Sequence, residues 1–236
     1  MMTFEEFLCQ DKETKINLDL TNHYGMKAPM FDLSSIYFMN KDMLGNKYVS
    51  APKPINPDQV ISIEGAAHML KAQMIGEILD RINQNIVLDL VSNSDLSASY
   101  TDLDANNVIS HIYEVCVDSR SSASFLCNGD TLKAMREVKD SDGRFLYQES
   151  FDPDKAGSIV GYPIHPTPAA PHGFLAFGNF REVVVIGMMD HVEVFKKVHQ
   201  GKTWIQAQLK ADHKLNPMGS TFKKYKAYRY DIPVQD

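Results

Sequence analysis

The chain has 236 residues, 44% apolar, 23% charged and 10% aromatic, with a net charge of −6. A chain of this length and near-average composition can bury a core of its own, which excludes disordered, collagen-like and coiled-coil classes. Its three cysteines, Cys9, Cys116 and Cys127, stand far apart with no C-x-x-C, which argues against a disulfide scaffold or a structural zinc site.

Acidic residues stand at the start, where a signal peptide needs basic ones, and no apolar run reaches the roughly 18 residues that cross a bilayer. The expectation is a soluble, intracellular protein with no membrane partner. The charge is uneven: from His191 onward there are nine Lys/Arg and four acids. Such a block suits either phosphate or acidic partners or the solvated faces of strands, and its alternation with apolar residues favours the strands.

Residues 1–35 are weakly periodic and read as an arm. Ile36–Ser50 holds two short β-prone pieces around Leu44, Gly45 and Asn46, which predicts a hairpin. Pro52, Pro54 and Pro57 then force an extended connection. From Ala66 to about Val91 there is no proline, and Ile75, Ile78, Leu79, Ile82, Ile86 and Leu90 recur at steps of three and four. This predicts one amphipathic helix roughly 35 to 39 Å long.

Asp102 or Asp104 can cap a second helix, with Val108, Ile109, Ile112, Val115 and Cys116 as its buried stripe. A strand over 123–127, an N-cap within Asn128–Asp130, a short helix over 131–139, a turn at Asp140–Gly143 and a strand over 144–148 follow. Strands are predicted over 158–164, 174–177, 182–186, 192–195, 204–209 and 222–230. Helices early and strands late make an α+β pattern rather than alternating βαβ units.

No phosphate-binding glycine loop, dinucleotide fingerprint, zinc-protease helix or nucleophile elbow is present. None of the eight histidines shares a predicted element with a second ligand at metal spacing. Neither a catalytic residue nor a cofactor is assigned. His165 and His172, with Asp190 or His191, would permit an acid/base pair, so a small cytosolic enzyme with a pocket at His165 and His172 stays an alternative of another class. Cys116 and Cys127 lie on apolar elements, where a thiol is inert. Phe222, Tyr225, Tyr228 and Tyr230, with Tyr162, could stack bases among basic residues, although core packing suits their strand spacing better.

From the long helix onward, about Ala66 to Val234, the order of elements resembles the major capsid protein of tailed bacteriophages, the Hong Kong 97-like fold. The resemblance rests on Leu132–Gln148, with its short helix, its Lys139-Asp-Ser-Asp-Gly-Arg144 turn and its aromatic strand. It rests also on Gly161-Tyr-Pro163, on Phe177-Gly-Asn-Phe180, where Asn179 replaces the usual Asp, and on the strand pair Val183–Ile186 and Val192–Phe195. Some members crosslink a loop lysine to a neighbour's asparagine. Lys41 and Lys47 lie in the corresponding loop, but no asparagine matches near Lys202, and that chemistry is not carried over.

The resemblance implies a capsid fold with a spine helix over about 66–91, a short N-terminal arm and a reduced extended loop (residues 1–50, hairpin 36–50). It implies a peripheral domain (51–97 and 192–236) and an axial domain (98–191). It further implies hexamers and pentamers of an icosahedral shell around double-stranded DNA, with portal and scaffolding proteins as further partners. The location would be the virion capsid, and the host cytoplasm during assembly. A compartment of encapsulin type shares the fold and is the alternative within this class. Intersubunit contacts are expected from Ile36, Phe38, Lys41, Met43, Lys47 and Val49, and an axial turn from Asp140, Asp142, Gly143 and Arg144.

Overall fold

The computed structural model describes residues 14–19, 36–39, 41–55, 63–94, 99–100, 102–151, 156–199, 202–216, 224–230 and 232. The chain is α+β and divides into two compact units. The first holds 36–82 and 186–212 together with the N-terminal 28 residues; the second holds 83–185 and 213–236 together with 29–35. Helix α1, Ile63–Ser92, contributes to both. At 1.5 Å per residue it runs about 45 Å. Met74, Ile75, Ile78, Leu79, Ile82, Ile86, Val87 and Leu90 are buried at the predicted steps of three and four, whereas Gln84 and Asn85 face solvent.

The first sheet is built on β13, Lys202–Leu215, which pairs antiparallel with β12, His191–His199. Strand β1, Thr14–Asp19, adds to the outer side of β12. The other side of β13 receives β3, Lys47–Val49, β4, Lys53–Ile55, and β11, Val184–Met188. Strand β2, Ile36–Phe38, lies parallel to β11 at the edge. Val192, Val194, Ile205, Ala207, Leu209 and Ala211 are buried on alternate positions, the period of two expected of strands.

The opposite face carries polar residues, Glu193, Gln206 and Gln208, and these are buried too. The segment from Lys41 to Ser50 covers them. The Lys41 ammonium donates to Glu193 at 2.8 Å, Gln206 donates to the Ser50 carbonyl at 2.8 Å, and the Ala207 amide donates to the Ser50 hydroxyl at 3.0 Å.

The second sheet runs β5-β14-β10-β6-β9-β8-β7. In chain order its strands are β5 (Ser99–Tyr100), β6 (Ser124–Cys127), β7 (Tyr147–Gln148), β8 (Ser158–Ile159), β9 (Tyr162–Pro166), β10 (Phe174–Gly178) and β14 (Tyr225–Tyr230). Helix α2, Ala105–Glu114, is capped by the Asp104 carboxylate, which accepts from the Asn107 amide at 2.7 Å. It is followed by the single turn α3, Val117–Arg120. Helix α4, Gly129–Glu137, is capped in the same way by Asn128. Phe125, Phe177, Tyr228, Val108, Ile112 and Met135 form the core between them.

Several expectations need correction. Residues 36–50 do not form a hairpin: β2 pairs with β11 and β3 with β13, a short 3-10 turn, Lys41–Met43, lies between them, and Leu44 and Tyr48 are buried. The observed path lets Lys41 donate to Glu193 and the Ser50 carbonyl accept from Gln206, which satisfies buried polar groups of β12 and β13. The strand predicted over 158–164 turns back on itself at Val160 and Gly161, both with positive φ, as a two-residue hairpin connection demands. A helical turn, α5 (Phe180–Val183), precedes β11.

The second helix stops at Glu114, and Ile109 is partly exposed rather than buried. Strand β14 hydrogen-bonds to β10 in the second sheet. Gly178 makes this possible, because a Cβ there would collide with Tyr225 and the Lys224 carbonyl. The predicted arm, apart from β1, lies outside the described residues.

Candidate assembly surfaces

The residues expected to reach a neighbouring subunit fall into two groups. Phe38 and Met43 are 48% and 67% exposed, beside Tyr37 at 64%, an apolar surface on the β2 edge of the first unit. Lys47 is exposed as well. Lys41, with its side chain 43% exposed, donates to Glu193, whose side chain is only 3% exposed. Val49 is half-buried opposite Gln208 on β13, and Ile36 pairs through its backbone with Ile186. Asn46 and Gly45 donate to the Asp212 carboxylate, fixing the bend before β3.

The turn at Asp140–Arg144 is built as its residue types require. Asp140 accepts from the Asp142 amide at 2.9 Å, the Arg144 amide at 2.8 Å and the Arg144 guanidinium at 3.0 Å. Those donors, the Arg144 amide first, hold its carboxyl below the usual range. Gly143 takes a φ of +80°, which glycine adopts without strain. Arg144 also pairs with Asp142. The turn stands on the surface of the second unit, with Phe145 exposed next to it.

The residues considered for chemistry are placed as follows. His172 meets the Ile232 carbonyl at 2.8 Å and lies 3.5 Å from Asp130, in the second unit, while His191 pairs with Asp190 at 2.5 Å in the first. Burial lowers the proton affinity of His165. It also pushes the Cys127 thiol up to about 12, away from thiolate chemistry. Cys116 is half-buried just ahead of α3, and Cys9 lies outside the described residues. Among the described residues no three His, Cys, Asp or Glu side chains gather to hold a metal ion. No described helix is long and apolar enough to cross a membrane.

Tyr225, Tyr228 and Tyr230 are core residues rather than a stacking platform; Phe222 lies outside the described residues. The described basic residues of the C-terminal block are divided between the two units. Lys196, Lys202 and Lys210 belong to the first unit, whereas Lys214, Lys224, Lys226 and Arg229 belong to the second, where Lys224 pairs with Glu182 at 2.6 Å.

Two features escaped the sequence reading. His111 is fully buried, its Nε2 against the Lys226 carbonyl at 2.9 Å and its ring packed edge-on with Phe125, Phe177 and Tyr228. Burial holds its pKa down at about 4. The signal was its place in the 108, 111, 112, 115 spacing. The second is a set of exposed apolar residues, Ile109 and Tyr113 on α2 and Val117 at the start of α3.

The chain is α+β in two compact units, each with large apolar side chains exposed on its surface. The profile of the phage capsid family matches residues 87–215, more than half of the chain, and the chain belongs to that family of structural proteins. Among solved structures it is similar to the capsid of a native GTA particle computed with C5 symmetry, at 15% identity and a TM-score of 0.54, over 94% of this chain and 86% of that one. This likeness is one of fold. The capsid of an empty GTA particle is 23% identical over 56% of this chain and 48% of that chain, with a TM-score of 0.44. A virus-like particle from Pyrococcus furiosus is 9% identical over 79% of this chain and 75% of its own, with a TM-score of 0.46. No curated protein matches the chain.

Proposed function

We propose that this protein is the major capsid protein of a tailed bacteriophage or prophage, with the Hong Kong 97-like fold. The family match over 87–215 carries the reading. In this reading the second unit is the axial domain, gathered in hexamers and pentamers, and the first unit is the peripheral domain. Tyr37, Phe38 and Met43 on the β2 edge are covered by a neighbour in the shell, as exposed apolar clusters at sheet edges usually are. The enclosed cargo is double-stranded DNA, held by weak non-specific contact, with portal and scaffolding proteins as further partners. The site of action is the virion capsid, reached from the host cytoplasm during assembly.

The test is electron microscopy of the purified full chain together with nuclease digestion of its contents. Closed shells or rings that protect DNA when made in the presence of the phage packaging proteins are the expected result. Shells that enclose a specific protein and no nucleic acid would turn the assignment to an encapsulin-type compartment. A protein that stays monomeric at high concentration would refute both.

A further inference from the structure

Helix α2 buries three of its ten residues, Val108, His111 and Ile112. One of the three can take up a proton, and its ring sits where only a neutral imidazole fits. Nε2 lies 2.9 Å from the Lys226 carbonyl of β14. A carbonyl only accepts, so Nε2 carries the ring proton and Nδ1 keeps a bare lone pair. Nδ1 is buried and has no hydrogen-bond partner among the described residues. A second proton would have to bind there, as a charged donor without an acceptor. The ring around it is walled by Phe125 of β6, Phe177 of β10 and Tyr228 of β14, all edge-on to the imidazole.

The groups facing the ring do not remove this conflict. On α2, Glu114 favours the charged ring, but its carboxylate accepts from the Tyr228 hydroxyl. From β14, the Lys226 carbonyl supports the charge while the Lys226 ammonium opposes it, and burial outweighs all three. Phe125 and Phe177 bring no charge, and Cys127 of β6, in the same core, keeps its proton up to about 12. The docked ring therefore titrates only at about 4, whereas a ring released to water titrates at about 6.5. On a released helix Glu114 stands three positions away, close enough to pair with the imidazolium. The strands under α2 hydrogen-bond to one another, β10 to β14 and to β6, so the helix can leave without opening the sheet.

We infer that α2 is an acid-operated latch of the second unit: a proton taken up at His111 lifts the helix from β6, β10 and β14 and bares Phe125, Phe177 and Tyr228, while the sheet beneath stays paired. Release also melts the helix, because ten residues are too few to hold a helix in water alone. Such local opening, coupled to one proton, grows about tenfold for each pH unit between about 6.5 and about 4. The inference stands on the second unit alone and does not depend on the shell reading.

The experiment is amide hydrogen exchange on the full chain, read by mass spectrometry at a series of pH values and corrected for the intrinsic exchange rate. Wild type is compared with His111→Phe, and with His111→Leu should the larger ring not be accommodated. In wild type the amides of α2 should lose protection about tenfold per pH unit below about 6.5, while those of β6 and β10 keep theirs. In the variants the protection of α2 should no longer follow pH. The inference is overturned if the α2 and β10 amides of wild type lose protection together, which is unfolding of the whole unit and not release of a latch. It is overturned equally if α2 protection in wild type is indifferent to pH, or if a folded variant shows the wild-type slope.

Discussion

The two sheets bury their inner residues by different means. In the first unit a polar face made by Glu193, Gln206 and Gln208 is closed by Lys41 and Ser50, donor to acceptor. In the second, aromatic rings do the filling: Phe125 and Phe177 lie 4.6 Å apart, and His111 meets Tyr228 at 4.6 Å. Apolar packing supplies stability without naming a unique partner, whereas a buried polar face accepts only a segment that presents matching groups in register. A short polar segment that looks like a loop can therefore be an obligatory part of a core.

The largest effect should come from removing that cover. Deleting residues 40–47 and bridging with glycines strips Leu44 from the core and leaves Glu193 without Lys41, a loss of several kcal/mol. Urea titration should show the dissociated subunits largely unfolded. A deletion that changed stability by under about 1 kcal/mol, as for a surface loop, would mean that the polar face needs no cover. In the aromatic core, Phe177→Ala removes a fully buried ring and should cost about 3–5 kcal/mol. Ile82→Asp on the buried side of α1 should cost a similar amount by burying an unpaired charge. Both are read from the shift in denaturation midpoint.

His111 gives the aromatic core a pH dependence. The folded state binds this proton only near pH 4, whereas the unfolded chain binds it near 6.5. Stability from this residue is complete above about pH 6.5 and is lost as pH falls towards 4, a drop of about 3 kcal/mol. Glu114 favours the charged ring and Lys226 opposes it, and both effects are smaller than that of burial. Chemical denaturation at a series of pH values should show this slope in wild type and a flattened one in His111→Phe.

Lys41→Met should cost less, about 2 kcal/mol, because water can still approach Glu193 from the half-exposed lysine side. Adding Glu193→Gln should recover part of the loss. The smallest effect belongs to Gln84→Ala on the exposed side of α1, within about 0.5 kcal/mol of wild type. Equal losses for Ile82→Asp and Gln84→Ala would show that the helix buries a different face.

The amino-acid sequence by itself determined whatever depends on neighbours along the chain. The apolar residues of α1 at steps of three and four, a cap at Asp102 or Asp104, a cap within Asn128–Asp130, the Asp140–Gly143 turn and the strands β12 and β13 all follow from local geometry. So did the order of short motifs that marked the family later matched over 87–215.

Only the tertiary structure decided which strand each short segment joins. Lys41 and Glu193 are 152 positions apart, and no periodicity in either stretch announces their pairing. Tyr225 and Gly178 are brought together by a close backbone approach that requires glycine, which moved the last strand into the second sheet. The exposed pair Ile109 and Tyr113 could be separated from the buried residues of α2 only after its packing was known. A helical period shows which residues share a face, but the direction of that face depends on contacts made far along the chain.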